Sequence, residues 1–112
     1  MEPLVSAIIT THNRKKMVGR AIESVLCQTY KNLECIVVDD ASDESAESVC
    51  KSYPVHYIYI PKEESTGGNH ARNVGIMKAK GKYVAFLDDD DYWLPTKIEK
   101  QVAYLGKGLY NY

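Results

Sequence analysis

The chain has 112 residues, 45% hydrophobic and 26% charged, with a formal net charge of −1. That suits one domain with an ordinary core and excludes a disordered chain, a coiled coil and a basic nucleic-acid binder. The elements then follow in chain order from the periodicity. "LVSAIIT", residues 4–10, is a short β-branched run and reads as a first strand ending near Thr10. Asn13 stands where an N-cap belongs, and Met17, Ala21, Ile22, Val25 and Leu26 fall on one face of a helix over 14–28. "LECIVV", residues 33–38, is apolar throughout, as a strand buried on both faces should be. After the loop "DDASDES", Ala46, Val49, Cys50 and Tyr53 recur at helical spacing. "VHYIYI", residues 55–60, is a third strand, and Pro54 and Pro61 at its ends suit a sheet edge. Beyond "KEESTGG", a helix over 69–80 stops at Gly81, the place for a glycine cap. "KYVAFL", residues 82–87, is a fourth strand. Pro95 then opens a last helix marked by Ile98, Val102 and Leu105.

Strands alternating with helices predict an α/β fold with right-handed crossovers: an open, mostly parallel, Rossmann-like sheet of order 3-2-1-4, with helices on both faces. Residues 1–105 make up this one domain and 106–112 a tail. In such a sheet ligands sit at the carboxyl ends of the strands. The unusual polar chemistry lies there: "TTHN" after the first strand, "DDAS" after the second, "DDDD" after the fourth.

Four consecutive aspartates require open water or a cation, because like charges ~4 Å apart repel by about 4 kcal/mol at an effective dielectric near 20. In an extended continuation of the strand, Asp88 and Asp90 share a face and make half a site for Mg²⁺ or Mn²⁺. Asp39 and Asp40 end a neighbouring strand. A ligand that arrives with a divalent cation is a diphosphate. The glycines of "TGGNHARN" precede a helix start, where free N–H groups favour an anion, and Arg72 and Arg14 add positive charge. His12, His56 and His70 form no ligand set; His56 is a strand residue and the other two lie at the edge of the site.

The blocks "VSAIITTHNR", "AIESVLCQTY", "VVDDASD", "GGNHARNVGI" and "GKYVAFLDDDDYWLPTKIEKQ" together resemble the N-terminal, nucleotide-sugar-binding half of the family 2 glycosyltransferases, which have the GT-A fold. The resemblance implies that Thr10 and Asp40 contact the nucleotide base and ribose, and that Asp88-Asp89-Asp90 is the D-x-D motif. Asp90 then holds the Mn²⁺ or Mg²⁺, while Asp88 or Asp89 reaches the ribose or the waters of the metal. It also implies inverting transfer from a nucleotide-diphosphate sugar, a UDP-sugar in expectation, to a saccharide or lipid-linked acceptor. Thr11 and His12, Ala41 and Ser65 depart from the family's usual residues, which bears on nucleotide preference. The catalytic base is expected outside this chain, since no candidate acid follows Glu99. The alternative is a nucleotide-sugar-binding fragment or interaction module without turnover. A phosphoacceptor receiver domain is a poor rival, because "TTHN" occupies the position of its acidic pair.

Cys27, Cys35 and Cys50 read as small buried hydrophobes of a protein in a reducing compartment. No apolar run reaches the ~20 residues of a membrane span, and the first strand follows Glu2 and Pro3 and not a basic leader. The expected location is the cytoplasm, at most the inner face of a membrane, with no nucleic-acid partner. Finally, the fourth strand ends the sheet with Val84 and Phe86 on one face, an exposed edge expected to self-associate.

Overall fold

β1 (Val5–Thr11), β2 (Leu33–Asp40), β3 (His56–Ile60) and β4 (Tyr83–Asp88) form one parallel sheet in the order β3-β2-β1-β4. The computed structural model describes residues 2–106, so all of the expected tail but Gly106 lies outside the described residues. The strand order matches the one expected from the sequence. Between the strands lie α1 (Lys15–Leu26), α2 (Glu47–Cys50), a 3-10 turn (Lys62–Glu64) and α3 (Gly68–Lys78); α4 (Lys97–Gly106) follows β4.

The two crossovers that build outward from β1 through β2 to β3 put α1 and α2 on one face. There Val18, Ile22 and Val25 of α1 and Cys50 of α2 pack on Ala7, Ile9 and Val37, and Ile98 of α4 joins them. The crossover from β3 to β4 returns across the opposite face, where Ala71 and Val74 of α3 pack on Ile8, Ile36 and Val38. The direction of winding therefore reverses between β1 and β4, and a crevice opens at their carboxyl ends.

Several local expectations change. Each strand but β3 runs past its expected end, so Thr11, Asp39, Asp40 and Asp88 are strand residues. Asn13 does not cap α1: it sits at φ 53, and Arg14 takes the cap position without a side-chain cap bond. In α1 Ala21, Ile22 and Val25 are buried as expected, but Val18 takes the inward place expected of Met17, which is exposed. α2 is a single turn, because the buried carboxylate of Asp39 organises the segment before it. Asp39 accepts N–H bonds from Ser42 (3.1 Å) and Ala46 (2.8 Å) and the hydroxyl of Tyr57 (2.7 Å). Gly81 is not a helix cap; α3 ends at Ala79 in extended backbone. A Cβ on Gly81 would stand 2.7 Å from the Ser6 nitrogen and 2.9 Å from the Leu4 oxygen, so the chain enters β4 against β1 only as glycine. Cys35 and Cys50 are buried, as expected, and burial pushes their thiols up to about 12 and about 11. Cys27 is exposed, contrary to expectation, because it follows the last turn of α1.

Candidate functional site

At the crevice between β1 and β4 a cleft of about 400 Å³ is lined by Thr10, Thr11 and His12, by Asp40, by Asp88, Asp89 and Asp90, and by Arg14, Gly68 and Ala71. Strand ends supply the carboxylates and hydroxyls. The first turn of α3 supplies a wall, and its amino end brings backbone N–H groups and the positive end of the helix dipole toward the same space. Gly67, at φ 115, makes the sharp entry into α3 that a side-chain-bearing residue would resist.

The aspartates after β4 do not continue as a strand. Residues 89–90 turn, and the Asp91 N–H donates to the Asp88 carbonyl at 3.1 Å. Asp88 and Asp90 therefore do not share a strand face, yet both line the cleft, with side chains 66% and 49% exposed. Asp89 points inward and is 7% exposed. Its Oδ2 accepts the Thr11 hydroxyl at 2.8 Å and its Oδ1 an Arg14 N–H at 3.1 Å. Arg14 also stands 3.1 Å from Asp90, so one guanidinium balances two carboxylates.

The loops after β1 and β2 are bound to each other. The Asn13 N–H donates to Ser42 Oγ and the Asp43 N–H to Asn13 Oδ1, each at 2.8 Å. His12 Nδ1 lies 2.5 Å from the Asp40 carbonyl, which can only accept, so Nδ1 carries the proton and Nε2 is left to accept from Asn13 at 3.2 Å. The Asp40 carboxylate accepts the Ser65 hydroxyl at 2.6 Å. The cleft floor is thus fixed before any ligand enters.

The sequence profile described as Glycosyl transferase family 2 matches residues 6–112. The chain belongs to this family. It is 43% identical over 103 residues to the UDP-Glc:alpha-D-GlcNAc-diphosphoundecaprenol beta-1,3-glucosyltransferase WfaP of Escherichia coli, covering 91% of this chain and 41% of that one. Among solved structures, S. aureus TarS superposes with a TM-score of 0.80 at 27% identity, over 93% of this chain and 32% of that one, and is known with UDP and with UDP-GlcNAc. The mannosyltransferase PcManGT of Pyrobaculum calidifontis, in complex with GDP-Man and Mn2+, superposes with a TM-score of 0.71 at 27% identity, over 83% and 29%. The fold is accordingly of the GT-A glycosyltransferase type. The chain spans 33% to 41% of the length of the first curated relatives it matches.

As a family 2 member the chain brings together Thr10, Asp40, Asp88, Asp89 and Asp90 in one cleft, as its sequence motifs suggested. Arg72 is not part of that lining. It faces the adjoining groove beside Phe86 and Tyr92 and reaches the cleft through Asp88, at 3.9 Å. Asp39 faces away, into the structure beneath α2. The sequence suggested Arg14 as positive charge near an anion and Thr11 as a departure bearing on nucleotide preference, but not that the two hold Asp89 in place. A strand-end threonine and a loop arginine next to an acidic run were the available signal. Among the described residues no three His, Cys, Asp or Glu side chains converge on one point. Two exposed carboxylates still fit a Mn²⁺ or Mg²⁺ ion whose other ligands are phosphate oxygens and water, as Mg²⁺ sites usually are.

Proposed function

We propose that the chain is the donor-binding half of a glycosyltransferase and that its cleft takes a nucleoside diphosphate sugar, a UDP-sugar first, together with Mn²⁺ or Mg²⁺. The observation that carries this reading is the meeting of Asp40, Asp88, Asp90 and the amino end of α3 around one crevice at the winding reversal. Thr10 and Asp40, on the β1 and β2 side, would hold the base and ribose. Asp88 and Asp90 would hold the cation, with the α3 N–H groups turned to the phosphates. When bound, the divalent ion neutralises the diphosphate and favours its departure. Asp89 touches no ligand in this scheme; with Thr11 and Arg14 it fixes the turn that presents its neighbours. Arg14 gives Asp90 a counter-charge until a cation replaces it. Arg72, 3.9 Å beyond Asp88 in the adjoining groove, would meet the sugar end of the donor.

The reaction is transfer of the sugar with inversion to an acceptor hydroxyl, which needs a base opposite the diphosphate. No residue of the cleft is assigned to that step. The acceptor named for WfaP, a lipid-linked saccharide, supports an acceptor of this kind and action at the inner face of a membrane. No helix among the described residues is long and apolar enough to cross one.

Calorimetric titration with UDP and GDP, with and without Mn²⁺, tests the binding reading. Saturable heat with UDP that requires the metal and vanishes in Asp90→Ala is expected. No heat with either nucleotide at millimolar concentration overturns it. Release of UDP from UDP-sugars on adding lipid-linked acceptors then separates transfer from binding alone.

A further inference from the structure

A cleft that takes a nucleoside diphosphate must still choose its base, and the surroundings of Asp40 bear on that choice. Adjacent strands lie about 4.8 Å apart, so the ends of β2 and β4, with β1 between them, stand roughly 10 Å from each other. With the diphosphate and its cation placed at Asp88 and Asp90, the ribose comes above the end of β1. The base then comes above the end of β2, at Asp40.

Asp40 is half-buried and fixed at both ends. Its carbonyl accepts the His12 Nδ1–H at 2.5 Å, and its Oδ1 accepts the Ser65 hydroxyl at 2.6 Å. Among the described residues no second donor reaches this carboxylate, so Oδ2 is left for a ligand. Ser65 is itself held. It follows the 3-10 turn Lys62–Glu64, and its N–H donates to the Lys62 carbonyl at 3.2 Å. Lys62 pairs with Asp43, and the Tyr59 hydroxyl donates to the Ser42 carbonyl at 3.0 Å. These contacts tie the segment ahead of α3 to the loop after β2, and the Ser65 hydroxyl reaches Asp40 as part of that frame.

Bases differ in the donors they offer a carboxylate. Uracil has one, its N3–H. Guanine presents N1–H and its 2-amino group side by side, a pair that calls for both oxygens of a carboxylate, as an arginine fork does. At Asp40 one of those oxygens already carries a hydroxyl, and a second donor there would have to share it.

We propose that Ser65 makes the cleft choose uracil over guanine: by holding Asp40 Oδ1 it leaves one carboxylate oxygen to the base, enough for uracil and one short for guanine. Ser65 touches no ligand in this scheme and acts through Asp40. The proposal rests on the reading that the cleft takes a nucleoside diphosphate.

Calorimetric titration of the parent, Ser65→Ala and Ser65→Thr with UDP, GDP and inosine diphosphate, each with Mn²⁺, tests it. Inosine diphosphate keeps the N1–H of guanine and lacks the 2-amino group. The parent is expected to bind UDP roughly tenfold or more tighter than GDP, the order of loss for a donor left without an acceptor. It binds GDP and inosine diphosphate within about twofold of each other, because it reads one purine donor. Ser65→Ala frees Oδ1, so GDP tightens roughly fivefold or more and moves ahead of inosine diphosphate, while UDP, with one donor, shifts less than about threefold. Ser65→Thr keeps the hydroxyl, suits the extended backbone at this position, and keeps the parent's order. A parent that does not prefer UDP overturns the proposal. So does a parent that already separates GDP from inosine diphosphate by about tenfold. Both are read without a variant, so the test stands if Ser65→Ala fails to fold. Ser65→Ala with the parent's order, or Ser65→Thr behaving as Ser65→Ala does, overturns it equally. Absence of heat with every nucleotide fails the cleft reading and this proposal together; heat with an unchanged order in Ser65→Ala fails this proposal alone.

Discussion

Asp39 and Asp40 are neighbours in the sequence with opposite work to do. Alternation along a strand sends them to opposite faces, and only the Asp40 side opens on the cleft. Asp39→Ala leaves two buried N–H groups and the Tyr57 hydroxyl without their acceptor, and should cost about 2–4 kcal/mol in urea unfolding. Asp40→Ala should cost far less stability and instead weaken UDP binding. The acidic run made both look available to a cation; which carboxylate is consumed by the loop depends on a turn that forms only when Ser42 and Ala46 fold back. The same turn sets Ala41 at φ 58, where L residues with a Cβ are strained. Ala41→Gly relieves that at an entropic cost of similar size, so a change within about 1 kcal/mol is expected. A loss of 2 kcal/mol or more would show that the Ala41 methyl group packs usefully.

Between elements, contact distance decides what the sequence pattern leaves open. α3 lies so close to the sheet that a Cβ on Gly75 would stand 2.5 Å from Ile8 Cγ2. Ile8 is buried and β-branched and cannot swing away, so Gly75→Ala should destabilise by about 1–3 kcal/mol. It should also weaken nucleotide binding, because α3 carries Gly68 and Ala71 into the cleft wall. In the sequence Gly75 passes for an indifferent helix glycine; its role follows from an interhelix-to-sheet distance that periodicity does not encode. Glu34 joins elements at the opposite end of the sheet. It accepts the Ser6 hydroxyl of β1 at 2.5 Å and the Lys80 N–H ahead of β4 at 2.7 Å, with His56 of β3 at 3.9 Å. Burial raises its pKa, but these donors and the charges of His56 and Lys80 outweigh it and hold the carboxyl below its ordinary value of 4.5. The folded value being the lower one, this stabilisation is complete above the unfolded value and fades as pH falls through the folded one. Glu34→Gln should therefore flatten part of the stability loss between neutral and acid pH. Identical slopes for the two proteins would mean the bonds contribute nothing.

At the scale of the molecule, the alternation of strands and helices made the parallel sheet and the place of the cleft legible, because only a few right-handed windings satisfy it. The inner arrangement of the acidic run was not legible: four aspartates look alike until the turn after Asp88 buries the third-from-last of them, Asp89, against Thr11 and Arg14. That arrangement sets the last expectation. Asp90 is half exposed and its partner Arg14 is half exposed as well, so their ion pair is worth only a fraction of a kcal/mol, and Asp90→Ala should melt within a few degrees of the parent. Ligand linkage behaves differently. A site filled at 100 times its dissociation constant adds about 2.7 kcal/mol, roughly 10 °C in a domain of this size. If UDP and Mn²⁺ occupy the cleft as one unit, the two together should raise the melting temperature by about that amount, more than the sum of their separate effects. Asp90→Ala should lose the joint increment while keeping its own ligand-free transition. An additive response, or a variant that no longer folds, would place Asp90 in the scaffold with Asp89 and leave the cation without its main ligand.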